Sequence, residues 1–242
     1  MIKPGYLIIA AALLPNPGMT TALAHGTHDE LLEGVTREVV AQPENHKILL
    51  ARARLHLKQG NTSLAIVDIE AAEKVAGAAE AAYVRGLYYF EVCNYQAATE
   101  AFSAYLLRYP GHIPSLLNRA RANKQAGRIN AAIDDYAKLL ELSIHPAPDY
   151  YLEMARIEAE VKPGGIDHAL STIDRGIEKL GPLVSLQSVA IQYELDRKNY
   201  YQALLRHESL RPWIGHTAQW KQRHKQLSGN LSGAGSQLKP ES

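Results

Sequence analysis

Small side chains return along this 242-residue chain on a regular beat, and few folds accommodate such a beat. Between Ala79 and His112 the chain reads AEAAYVRGLYYFEVCNYQAATEAFSAYLLRYPGH. Gly86 is followed 12 residues on by Ala98, 16 on by Phe102 and 24 on by Pro110. The pattern predicts two short helices packed face to face. Gly86 lies on the first; Ala98, Phe102 and Tyr105 lie on the second; Pro110 closes the unit. Gly86 and Ala98 carry almost no side chain, so the backbones can approach closely there. Phe102 is expected to fill the gap toward the neighbouring unit. The 12 and 16 spacings recur at Ala53, Ala65 and Ile69, at Ala120, Ala132 and Tyr136, and at Ile191, Ala203 and His207. One unit is stretched: Ala155 to Ala169 is 14, with Ile173 four further on, and Lys162-Pro163-Gly164-Gly165 is expected to absorb the excess as a longer loop. Along the first-helix slot, Ala53, Gly86, Ala120, Ala155 and Ile191, the steps are 33, 34, 35 and 36. Turns are expected at Gly60-Asn61, Asn94, Gly127 and Asn199, where a helix ends and the next is capped.

The small–small–aromatic–proline order resembles the tetratricopeptide repeat. The resemblance implies an all-α fold, a right-handed α-α superhelix of about five helical hairpins. Two helices cannot bury their apolar faces alone, so stability comes from stacking neighbours. Caps are expected at both ends. Asp29 to Gln42 carries Leu31, Leu32, Val35 and Val39 at helical spacing, and Val35 precedes Pro43 by eight, as Phe102 precedes Pro110. It reads as the second half of a unit without its first half. Trp213 and Trp220, seven apart, are expected on one face of a last helix over Ile214 to Leu227, with Lys221, Arg223, His224 and Lys225 in water. His207 in the aromatic slot suggests that the array is ending. The Gly/Ser-rich 229–242 reads as a disordered tail.

Residues 1–24 have the architecture of a secretory signal peptide: Lys3, the apolar run Tyr6 to Leu14, helix breakers at Pro15, Pro17 and Gly18, and Ala22-Leu23-Ala24. The run is shorter than the roughly 20 residues a membrane span needs. Cleavage after Ala24 leaves residues 25–228 as the repeat domain and predicts a periplasmic or secreted protein without a membrane span. Without Lys3 the 26 Lys and Arg become 25, equal to the 25 Asp and Glu. Zero formal charge argues against nucleic acid as a partner, because that binding needs a basic surface. Cys93 is the single cysteine, which excludes an internal disulfide; it is expected to be buried and inert.

No Gly-rich phosphate loop, His-Glu-x-x-His run or nucleophile elbow occurs, so the expectation is a non-enzyme without a cofactor. What the resemblance implies instead is a protein or peptide partner held along the first helices. Carried over residue by residue, that groove holds Arg54, Leu87, Arg121, Arg156 and Gln192 just after the small slot. Leu50, Tyr83, Leu117, Leu152 and Ser188 stand three residues before it, with Asn118, Lys124, Glu153 and Asp196 beside them. Arg54, Arg121 and Arg156 could offer bidentate donors to carboxylates, or pair with Glu91, Glu153, Glu158 or Glu160. The Lys/Asn/Asn/Lys/Arg pattern of the subclass that binds peptide C-termini is not reproduced. A second row, Arg52, Arg85 and Arg119, just before the small slot, fits helix-to-helix pairing. A separate expectation concerns His25, which cleavage would expose with a free amine, and His28. Together they form a two-histidine candidate for copper or zinc. The remaining alternative is an architectural subunit that self-associates through its end faces.

Overall fold

The computed structural model describes residues 28–161 and 163–236. The described residues form helices and turns, with no strand among them. The expected signal segment and His25 lie outside them. The chain divides at Gly77 into two units.

The first unit contains α1 (His28–Ala41), α2 (His46–Lys58) and α3 (Thr62–Ala76). As expected of a cap, α1 packs on α2, with Val39 against Leu49 and Ala72. Asn45 caps α2, its side chain accepting from the Lys47 N–H at 3.2 Å. α2 and α3 form the first hairpin, closed on Ala53, Ala65 and Ile69, none of which reaches solvent. Arg52 donates through Nε and Nη2 to both oxygens of Asp68 at 2.8 and 2.6 Å.

The second unit begins with α4 (Ala78–Glu91), α5 (Tyr95–Arg108), α6 (Ile113–Gln125) and α7 (Ile129–Leu142). It continues with α8 (Pro148–Glu160), α9 (Gly165–Leu180), α10 (Val184–Asp196) and α11 (Tyr200–Glu208). It ends with α12 (Arg211–Ile214) and α13 (Ala218–Ser236). α4·α5, α6·α7, α8·α9 and α10·α11 are the hairpins, and α5·α6, α7·α8 and α9·α10 join each to the next. The small slots and the aliphatic, aromatic or His207 slot four residues after each second-helix small residue are buried here too, including Gly86, Ala98 and Phe102.

Phe102 has a further role beyond the gap-filling expected of it. Its ring lies directly over Gly86 in its own hairpin: a Cβ built on Gly86 would stand 2.5 Å from Phe102 Cε1. The same ring packs on Ala122 of the following hairpin. The stretched unit is resolved as expected, by the loop before α9. A Cβ on Gly165 would meet the Glu158 carbonyl at 2.3 Å, so only glycine lets that helix start there.

Four of the hairpin turns, all but the stretched α8–α9 loop, share one geometry. The N–H of Asn61, Asn94, Arg128 and Asn199 donates to the carbonyl five residues back, at 2.7–2.8 Å. The residue before each of them is left-handed: Gly60, Cys93 (φ 58), Gly127 and Lys198 (φ 61). This is the six-to-one closure of a Schellman motif. It overturns the expectation for Cys93, which is exposed because the left-handed position of a turn points its side chain away from both helices.

The C-terminal end also differs. Trp213 and Trp220 do not share a helix: the chain turns at Gly215–Thr217, leaving Trp213 on the four-residue α12, 55% exposed, and Trp220 on α13, 5% exposed. α13 then runs to Ser236, beyond Leu227, where the last helix was expected to stop. Trp220 and Leu227, seven apart, bury one face of it against α11, and Leu231 continues that face half-buried. His207 is buried because α13 covers it. Its ring stacks on Trp220 at 4.8 Å and its Nε2 donates to the Trp220 carbonyl, while Trp220 Nε1 donates to the His207 carbonyl at 3.2 Å. No helix among the described residues is long and apolar enough to cross a membrane.

Candidate binding groove

The row just before the small slot does the pairing expected of it in two hairpins. Arg52 holds Asp68. Arg119 holds Asp135 through Nε and Nη2 and reaches Ser103 through Nη1, with Asn123 completing Asp135 at 3.1 Å. Both pairs are 16 residues apart; the residue 16 beyond Arg85 is Ala101, which cannot repeat the pair.

On the first-helix face of the second unit, the expected groove residues divide into three kinds. Tyr83 and Leu87 are half-buried and contribute to packing. Tyr83 meets Phe102, Tyr105 and His112 at ring separations of 6.0, 5.6 and 5.0 Å, and Leu87 packs beside Ala98 and Phe102. Asn118 turns its amide onto the Pro114 carbonyl at 2.8 Å.

Arg121 and Lys124 form links between successive hairpins. Arg121 donates through Nε and Nη2 to the two Glu153 oxygens at 2.8 and 2.5 Å, 32 residues on. Lys124 stands 3.4 Å from Glu160, 36 residues on. One of the two readings of Arg121 is thus realised as the internal pair. The same near-repeat separation recurs behind the groove, where Arg206 binds Asp174 and Arg197 binds Asp167. Ion pairs one repeat apart therefore tie hairpin to hairpin, in addition to apolar stacking.

Arg156 alone of the three arginines in this slot lies in the second unit without an ion pair among the described residues; it is exposed. With Arg121, Lys124, Gln125, Tyr136, Glu153 and Ile157 it lines a hollow of about 170 Å³. The lining carries three cationic side chains and one carboxylate, and Glu153 is already held by Arg121. The uncancelled charge is positive. Arg54 is likewise exposed and unpaired among the described residues, on α2 of the first unit.

Two hollow-lining side chains were not expected. Tyr136 packs as its aromatic slot predicts, with the residue 1% exposed, but its hydroxyl also donates to Glu153 Oε2. A tyrosine where the neighbouring hairpin has Phe102 was the available signal. Gln125 carried none. Burial works to raise the Glu153 carboxyl, but the hydrogen bonds from Arg121 and Tyr136 outweigh it and hold the group below its ordinary value. Burial and the bond to Glu153 push the Tyr136 hydroxyl up, so it remains a donor.

Of the two-histidine metal candidate, His25 lies outside the described residues. His28 is exposed at the first position of α1, and among the described residues no group of three His, Cys, Asp or Glu side chains is placed to hold an ion.

No family model and no curated protein matches the chain. Solved structures do. The type IV pilus biogenesis factor PilW aligns at 15% identity over 81% of this chain and 90% of its own, with a TM-score of 0.64. A tetratricopeptide repeat protein from Parabacteroides merdae aligns at 21% identity over 83% and 78%, with a TM-score of 0.53. One chain of the APC/C hetero-tetramer Cut9–Hcn1 aligns at 12% identity and a TM-score of 0.59; it covers 83% of this chain, which spans only 39% of that longer one. At these identities the likeness is one of fold, and it agrees with the repeat register, the buried small slots and the paired helices: the chain has the tetratricopeptide-repeat fold.

Proposed function

We propose that this protein is an exported, non-enzymatic adapter. It holds an extended segment of another protein along the first-helix face of its second unit, where Arg156 engages a carboxylate of that segment. The observation that carries this reading is the exposed Arg156 guanidinium, without an ion pair or hydrogen bond among the described residues, in a hollow whose net lining charge is positive. Arg121, Glu153 and Tyr136 brace the wall beside it and leave Arg156 as the bidentate donor for an incoming carboxylate. Lys124, held only at 3.4 Å by an exposed Glu160, is the second cation within the hollow. Cut9–Hcn1, a relative in fold, works inside a hetero-tetramer, which is the kind of role proposed. Export rests on the composition of residues 1–24.

Affinity capture from an envelope extract, with photo-crosslinking from position 125, tests the groove. Wild type should recover a crosslinked protein that Arg156→Ala loses and Arg156→Lys retains only in part, because a lysine cannot make the bidentate contact. Equal recovery by wild type and Arg156→Ala would remove the groove from consideration. Intact-mass analysis of the protein purified from its native compartment tests export: a chain beginning at His25 is expected, and an intact Met1 end refutes it.

A further inference from the structure

The two end helices of the fold carry opposite charge. α1 holds Asp29, Glu30, Glu33 and Glu38 against a single Arg37. Asp29, Glu30 and Glu33 are exposed, and a hollow of about 520 Å³ lies along the helix, lined among the described residues by Asp29, Leu32, Glu33, Thr36 and Arg37. Val40 at its end is 78% exposed. At the other terminus, α13 contains Lys221, Arg223 and Lys225 and no acidic residue. All three are exposed, and Trp213 on the preceding α12 is 55% exposed. Lys221 and Lys225 are four apart, so they form one ridge of α13.

Stacking gives each end a reason to accept a neighbour. A helical repeat buries its apolar face against the next repeat, and among the described residues no helix stands beyond α1 or α13. α1 packs on α2 and α13 on α11, which leaves the opposite side of each helix uncovered among the described residues. α1 is, by the register of Val35 and Pro43, a second helix lacking its first, so its outer side is where a further helix would stack. A surface with Glu30 and Glu33 on one end and Lys221 and Lys225 on the other is self-complementary only between unlike ends. We infer that the protein associates head to tail with a second copy of itself, α13 of one copy docking on α1 of the next. Such a contact is heterologous and can repeat from copy to copy. Unlike charge steers the encounter, and the exposed Val40 with Leu32 in the hollow offers Trp213 an apolar surface to cover.

Sedimentation velocity over a concentration series, at low and high salt, provides the test. The mean mass should rise with concentration at low salt and fall back as salt screens the exposed charges. Glu30→Lys with Glu33→Lys should be monomeric, as should Lys221→Glu with Lys225→Glu. Their equimolar mixture should associate again, because each then offers the end the other lacks. Circular dichroism confirms that these surface variants fold. Association through like ends would survive in one variant and show no rescue on mixing, which overturns the inference; so does a wild-type protein that stays monomeric throughout. Arg156→Ala should associate as wild type does, so failure of the groove proposal and failure of this one are read separately.

Discussion

Replacing Gly86 by alanine is the most direct test of the close-packed hairpin. In an ordinary mid-helix position the change gains about 0.5–1 kcal/mol, because glycine pays more backbone entropy on folding. Gly34 on α1 is such a position: a Cβ there meets nothing within 4 Å. At Gly86 the new methyl would stand 2.5, 2.6 and 2.9 Å from three atoms of the Phe102 ring. That ring has no exposed surface and is enclosed by Tyr83, Leu87, Ala98 and Ala122, so it has little room to yield. Overpacking of this kind costs roughly 1–3 kcal/mol. Taking the upper part of that range for a confined aromatic ring, Gly86→Ala should lose about 1–2 kcal/mol while Gly34→Ala gains up to about 1. Urea melts followed by circular dichroism measure the difference, and hydrogen exchange of α4 and α5 amides locates it, which matters because repeat arrays can depart from two-state behaviour. In a Phe102→Leu background, Gly86→Ala should become neutral or stabilising. If Gly86→Ala stabilises as much as Gly34→Ala does, the close approach of α4 and α5 is wrong.

Three further outcomes follow from particular groups. Cys93→Gly should stabilise the second unit by about 0.5–1 kcal/mol, since relief of the left-handed penalty exceeds the entropy a glycine adds; a loss in urea melts would contradict the turn geometry. Glu153 titrates below its ordinary value when folded, so its contribution is present above the ordinary carboxylate pKa of about 4.3 and fades as pH falls through the lower folded value. The stability gap between wild type and Glu153→Gln should therefore close on acidification below about pH 4, and a gap independent of pH refutes the Arg121–Glu153 pairing. His207 is depressed mainly by burial, and His224 and Arg223 add to this against the Trp220 carbonyl and Glu208, so folding favours its neutral form. Stability should be full above about pH 6.5 and decline as pH falls below it; His207→Phe should remove this decline in Trp220 fluorescence melts.

The sequence determined the repeat. Backbone approach depends on side-chain size, and size is written residue by residue, so Ala53, Gly86, Ala120 and Ala155 by themselves locate the helix contacts and the hairpins. The paired rows Arg52–Asp68 and Arg119–Asp135 were half legible, since the arginines recur on the beat although their partners had to be found. Only the tertiary structure decided which groove cations are already engaged. Arg121 and Arg156 occupy the same slot of successive hairpins, yet one is hydrogen-bonded to Glu153 and the other makes no ion pair among the described residues. That outcome turns on where a neighbouring helix sets its side chains, a distance between residues 32 apart that periodicity does not contain. The C-terminal end shows the same limit. Seven-residue spacing places two tryptophans on one face only if one helix holds both, and the turn at Gly215–Thr217 separates them, leaving Trp220 to cover His207 and Trp213 to face outward.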